Sequence, residues 1–207
     1  MNVNEQKVLV LNNLVEHYGY QDWWEADNRL ADWLSMILIQ RTTEKNAKQA
    51  LANLAPYLDS LIEMDKAKLE ELIYPAGFYK QKSIYIKALA EWFYGHGASL
   101  DKFQTYSTEA LRKELLGIKG VGEETADAML LYIFERNVFI ADLYARRLFT
   151  RLGFGEYTTY AQMRDEFMPI IENIPHKLCK EWHSVIDVHG KHFGKDKSMN
   201  ESWLLES

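Results

Sequence analysis

Residues 111–142 read LRKELLGIKGVGEETADAMLLYIFERNVFIAD, and the glycine spacing within them sets the fold class. Leu111, Leu115 and Leu116 close the apolar face of one helix. Gly117, Gly120 and Gly122 punctuate a tight turn. Ala126, Met129, Leu130 and Ile133 then recur at i, i+3, i+4 and i+7, the buried stripe of a second helix. The stretch is therefore helix, six-residue hairpin, helix. Ile118 and Val121 can point inward and hold the loop to the core. Glycines without a Cβ allow positive φ and close approach of backbone to a ligand. The first amides of the second helix have no intrahelical partners and lie at the positive end of its dipole, a site suited to a phosphate oxygen. An ordinary αα-turn with glycine caps would show the same short motif, so the wider pattern has to discriminate.

Outward from the hairpin the periodicity stays helical. Residues 1–18 carry Val3, Leu11, Leu14, Val15 and Tyr18 on one face, and Gly19 stops them. Leu30, Leu34, Ile37 and Leu38 form a buried face that starts near a cap at Asp27 or Asn28. Further helices are expected at 43–54, stopped by Pro56, and at 66–73, stopped by Pro75. One opening in GFYKQKSIYIKALAEWF has Ile84, Ala88 and Trp92 in register. Others are expected after Asp142, at 160–171 and at 176–189, the last with Leu178, Trp182, Val185, Ile186 and His189 on one face. No sustained alternation marks a strand, and no repeat or low-complexity linker appears. The expected fold class is all-α, with about ten helices.

Composition is compatible with this. Apolar residues make up 47% of the 207 positions, enough for a sizeable core. The single cysteine, Cys179, excludes a disulfide framework and points to a reducing compartment. No secretory leader opens the chain, and the longest apolar run, near residues 33–39, is too short for a bilayer. A cytoplasmic, monomeric protein without membrane contact is expected. The net charge of −6 opposes long-range attraction to nucleic acid. A DNA-binding role therefore needs its cations gathered on one face, for which Arg146, Arg147, Arg151, Lys191, Lys195 and Lys197 are candidates.

The segment resembles the helix-hairpin-helix (HhH-GPD) DNA glycosylase superfamily, which includes endonuclease III. That family carries L-x-G-[IV]-x-G-V-G-x-x-T-A followed by a catalytic aspartate. Leu115, Gly117, Ile118, Gly120, Val121, Gly122, Thr125 and Ala126 match, and Asp142 in FIADLYARR stands at the family spacing. Lys119 replaces a usual proline. The resemblance implies a two-domain endonuclease III-like fold, with residues 22–134 carrying the hairpin and residues 1–21 plus 135–207 forming the other domain. It implies a partner, double-stranded DNA containing damaged bases. Gly117, Lys119, Gly120, Val121 and Gly122 would contact that DNA, Gln40 in LIQRTT would plug the space left by a rotated-out nucleotide, and Lys82 in GFYKQKS would lie near the DNA backbone.

Asp142 is implied as the carboxylate that stabilises an oxocarbenium-like sugar, and an aspartate there also suits a helix N-cap. Bifunctional members carry a lysine where this chain has Glu124. A carboxylate cannot form a Schiff base, so a monofunctional enzyme without abasic-site lyase activity is expected. Endonuclease III-like chains bind an iron–sulfur cluster through four cysteines after an H-G-[RK] segment. His189, Gly190 and Lys191 match that segment, but one thiol cannot hold such a cluster, and none is expected. A zinc site from Cys179 and His183 is the less favoured alternative, and the resemblance leaves room for a monovalent cation at the hairpin. Trp23-Trp24, PAGFYKQK, KGVGEETADAMLLY and VHGKHF together resemble bacterial 3-methyladenine DNA glycosylase III. That subgroup implies excision of alkylated purines, a base pocket of Trp23, Trp24 and Glu124, and a catalytic Lys191 close enough to Asp142 to lower its pKa. A cationic base is a good leaving group and is attracted to an aromatic face. A glycosylase for uracil or an oxidised pyrimidine and a non-catalytic damage-binding hairpin protein are the alternatives.

Overall fold

The computed structural model describes residues 1–23 and 29–206. The caps expected at Asp27 or Asn28, and Trp24, lie outside the described residues. Among the described residues there are ten α-helices, joined by turns and short 3-10 segments, and no strand. The chain divides into two compact units, Ala26–Phe134 and Met1–Glu25 with Glu135–Ser207. Trp23 therefore belongs to the terminal unit.

The central unit holds α2 (Arg29–Leu38), α3 (Glu44–Leu54), α4 (Lys66–Leu72), α5 (Tyr79–Gly95), α6 (Thr108–Leu116) and α7 (Glu123–Tyr132). Thr43, Asp65 and Ser107 cap α3, α4 and α6 by accepting first-turn amides. Helix α2 packs against α3, α5 and α7 through Trp33, Leu34, Ile37 and Leu38. The buried face of α5 is Lys82, Ile86, Leu89, Ala90 and Phe93. The Ile84, Ala88 and Trp92 register expected from sequence is displaced from that face, because an aromatic pile claims the half-buried Trp92. Its ring stacks on Trp33 at 5.1 Å and on Phe103 at 5.1 Å.

The terminal unit holds α1 (Val3–Tyr18), α8 (Leu143–Arg151), α9 (Tyr160–Ile171) and α10 (His176–Lys195). Asn2 and Glu5 form a capping box on α1, and Gly19 ends it at φ 73°. Helix α10 runs beyond His189 to Lys195, since Gly190 and Gly194 lie within it and neither breaks it. Two helices, α1 and α8, pack on α10. Gly190 makes the second contact possible: a Cβ there would fall 2.3 Å from the Tyr144 ring. Phe149 and Phe167 meet at 4.7 Å, and Phe139 and Phe167 at 4.5 Å. Buried Lys7 is balanced by Glu166, which also accepts from the Tyr157 hydroxyl at 2.8 Å.

Buried His189 links Tyr18, at 3.0 Å, to Glu201, at 2.7 Å. Arg151 donates to both oxygens of that same Glu201, at 2.8 and 2.6 Å, and lies over the Phe193 ring. Arg151 stays at the surface, but its guanidinium charge is offset within this unit by Glu201 and is not a lone cation of a basic patch. No described helix is long and apolar enough to cross a membrane.

Candidate functional site

In the hairpin, Ile118 and Val121 are buried and tie the loop down, with the Val121 amide donating to the Ile118 carbonyl at 3.0 Å. Gly120 has a double reason to lack a side chain. Its φ is +95°, and a Cβ would lie 2.1 Å from the Tyr85 ring on α5. Gly117 is ordinary αR backbone, and Gly122 is extended. Gly122 is the N-cap of α7 and supplies no side-chain oxygen to the helix amides. Glu123 and Glu124 occupy the first turn. Arg112 lies 3.5 Å from Glu123 and grips the fully buried Asp127 with bonds of 2.9 and 3.2 Å, locking α6 to α7.

Gln40, just past the end of α2, donates to the Gly120 carbonyl at 3.1 Å and to the Thr125 hydroxyl at 3.2 Å. In this structure it braces the hairpin. Lys119 is exposed at the tip and Glu124 is exposed on α7. Lys82 is 2% exposed and donates to the carbonyls of Leu38 at 2.7 Å and Ala76 at 2.9 Å. Burial pulls its ammonium down to about 8. Its charge is directed inward, where it satisfies the carbonyl at the end of α2.

Asp142 opens α8 in the terminal unit. Its Oδ1 accepts the Ala145 amide at 2.7 Å, so it is the N-cap of the helix. Its Oδ2 lies 3.9 Å from His183 Nε2. Burial pushes the carboxyl up to about 6, the Asp187 charge adds to the rise, and the Ala145 and Tyr144 amides and Arg146 oppose it. The expected lowering by Lys191 is therefore reversed. The Lys191 ammonium is taken by Asp187 at 2.5 Å, and removal of Asp142 from water outweighs the groups that favour its charge. Burial pulls His183 down to about 4, so its ring is neutral at neutral pH and forms no ion pair with Asp142.

Trp23 stands beside these groups, 43% exposed. Its ring meets His183 edge-on with centroids 6.3 Å apart, and Lys191 Nζ lies 5.5 Å over its centroid. Glu181, 3% exposed, fixes the chain leading to it by accepting the Gln21 amide at 2.6 Å and the Asp22 amide at 3.1 Å. Helix α10 thus carries Glu181, His183, Asp187 and Lys191 into one neighbourhood. Sequence reading found Lys191 and considered His183 only as a metal ligand; Asp187 and Glu181 were missed. The signal was present, since His183, Asp187 and Lys191 recur every four residues along one helical face.

Among the described residues no group of three or more His, Cys, Asp or Glu side chains is placed to hold a metal. Cys179 is buried, and burial pushes its thiol up to about 11.

Residues 34–173 match the family model described as the HhH-GPD superfamily base excision DNA repair protein. The chain is 38% identical over 198 residues to a candidate DNA repair glycosylase of Methanocaldococcus jannaschii, covering 90% of this chain and 87% of that one. It is 32% identical over 146 residues to endonuclease III of Sulfolobus acidocaldarius, covering 68% of this chain and 64% of the relative. In fold it is similar to H. pylori 3-methyladenine DNA glycosylase bound to 1,N6-ethenoadenine. That match has a TM-score of 0.73 and 24% identity, and covers 97% of this chain and 100% of the other. The hairpin, the helix-capping acid and these matches agree: the chain belongs to the HhH-GPD superfamily of base excision DNA repair proteins.

Proposed function

We propose that this protein is a monofunctional DNA glycosylase that hydrolyses the N-glycosidic bond of rotated-out alkylated purines of the 3-methyladenine type. The observation that carries the reading is Asp142. One carboxylate oxygen is fixed by the cap of α8, and the group is held where burial makes its negative charge costly. Such a carboxylate gains most when positive charge develops on a sugar next to it, which is the electrostatic preference glycosidic cleavage needs. Trp23 offers a half-exposed aromatic face beside neutral His183, suited to stacking an electron-poor purine. Lys191 sits over that face and acts on the same base.

The Gly120–Gly122 turn and the first amides of α7 hold a DNA phosphate, with Val121 anchoring the loop and Gly117 and Lys119 beside it. Gln40 leaves its hairpin partners to fill the vacated helix. Glu124 stands where a Schiff-base lysine would be required, so the product strand keeps an intact abasic site. No bound cluster takes part in these steps, and the partner is duplex DNA bound by one copy of the chain.

The test is base release from methylated duplex DNA by wild type and by Asp142→Asn, with products separated chromatographically and strands checked for nicks. The expected result is free 3-methyladenine from wild type alone, with strands intact until alkali treatment. Strand cleavage by wild type would refute the role given to Glu124. Release by Asp142→Asn at the wild-type rate would refute the role of Asp142. Lesion-selective binding without release by either protein would replace the glycosylase with a damage-binding module.

A further inference from the structure

The aromatic face proposed for a cationic base already has a cation over it. Lys191 Nζ lies 5.5 Å from the Trp23 centroid. An unpaired ammonium there would repel a positively charged purine stacked on the same ring, and would favour an uncharged one. What prevents this is one turn back on α10, where Asp187 holds Lys191 at 2.5 Å. Asp187 is 18% exposed and Lys191 is 53% exposed, so the carboxylate is the buried anchor and the ammonium the movable partner. The Asp187 charge also acts on Asp142 and His183.

We infer that Asp187 is a specificity-determining residue: by cancelling the charge of Lys191 beside Trp23, it allows this site to accept cationic alkylated bases as well as neutral ones. The inference rests on the alkylpurine reading of the site. Without Asp187, the Trp23 face would carry an uncompensated positive charge about one ring-width from an incoming cation. The expected consequence is a loss of about tenfold in preference for the charged base, the scale of a partly solvated like-charge pair. Asp187 itself need not touch the base; it acts through Lys191.

The experiment compares two lesions in one duplex context, cationic 3-methyladenine and uncharged 1,N6-ethenoadenine, under single-turnover conditions. The readout is the ratio of their rates at subsaturating enzyme. Asp187→Asn should lower the cationic-to-neutral ratio about tenfold, chiefly through weaker binding of the cationic duplex. Adding Lys191→Met to Asp187→Asn should restore the ratio, because the uncompensated charge is gone. A merely structural role would lower both rates together and would not be rescued. An unchanged ratio in Asp187→Asn overturns the inference, as does a lowered ratio that the second substitution leaves in place. A wild type that releases neither base refutes the alkylpurine reading itself. In that case the charge preference is read by calorimetric titration with the 7-methylguanosine cation and with neutral guanosine. Selective binding of the cation by wild type that falls in Asp187→Asn supports the inference, and no selectivity in wild type overturns it.

Discussion

Replacing Asp142 with asparagine should make the protein more stable at neutral pH while abolishing base release. The carboxyl is moved from its ordinary 3.8 to about 6, mainly by burial. A folded-state pKa above the unfolded one means that the native state disfavours the charged form. The cost is present in full above pH 6, shrinks as pH falls, and vanishes below the unfolded value of 3.8. At about 1.4 kcal/mol per pKa unit, the ionised carboxylate costs the fold about 3 kcal/mol at pH 7.5. At pH 5 the same linkage leaves about half of that. Asparagine keeps the cap, since its side-chain oxygen accepts the Ala145 amide as well as aspartate does. The substitution therefore removes the burden and retains the benefit. Urea unfolding of wild type and Asp142→Asn at pH 7.5 and pH 5 measures both points. The variant should gain about 2–3 kcal/mol at the higher pH and about half as much at the lower. A variant no more stable than wild type at pH 7.5, or a gain that grows on acidification, would refute the account of Asp142 as a carboxylate held ionised against its environment.

The same shift gives an acid limb to activity: base release should fall as pH drops through about 6, while Asp142→Asn shows no such limb at any residual rate. Gly190→Ala should destabilise by about 1–3 kcal/mol, because its Cβ would fall 2.3 Å from the Tyr144 ring, whereas Gly194→Ala on the same helix, with nothing within 4 Å, should stabilise by less than about 1 kcal/mol; thermal melts separate the two. Lys119→Ala should lower the salt slope of duplex binding by about 0.9, and Lys82→Met should leave that slope alone while lowering stability by leaving the buried carbonyls of Leu38 and Ala76 unpaired. Gln40→Ala should loosen the hairpin, seen as faster amide exchange at Gly120 and Thr125, and should weaken binding to duplexes with an abasic site.

The helices were legible because their signals are local. Glycine punctuation, apolar stripes at i, i+3 and i+4, and the capping aspartate Asp142 are all read within one or two turns of chain. What failed needed knowledge of neighbours. The face of α5 depended on Trp33 and Phe103 reaching Trp92 from elsewhere in the chain. Lys82 carries a surface residue type, and only the arrival of two unpaired carbonyls makes its burial sensible. Arg151 matched a basic stripe on α8 until Glu201, fifty residues away, was seen to take its guanidinium. The direction of the Asp142 shift was misjudged for a related reason: its largest cause is burial, which packing from elsewhere in the chain decides, whereas the Asp187–Lys191 pair on one helical face could have been read locally.

The three residues His189, Gly190 and Lys191 show why a short motif can be recognised long before it is understood. Consecutive positions on a helix point about 100° apart, so three neighbours cannot serve one surface. His189 turns into the core, joining Tyr18 to the Glu201 that Arg151 also holds. Gly190 turns toward α8 and, by having no side chain, sets the distance at which Tyr144 and hence the helix opened by Asp142 can pack. Lys191 turns toward Trp23 and the cluster at Asp187. One turn of α10 thus fixes the terminal segment, places the acid and presents a cation, each job constraining a different side of the helix. A substitution at His189 or Gly190 should therefore change activity through the position of Asp142 and Lys191, without either residue meeting DNA.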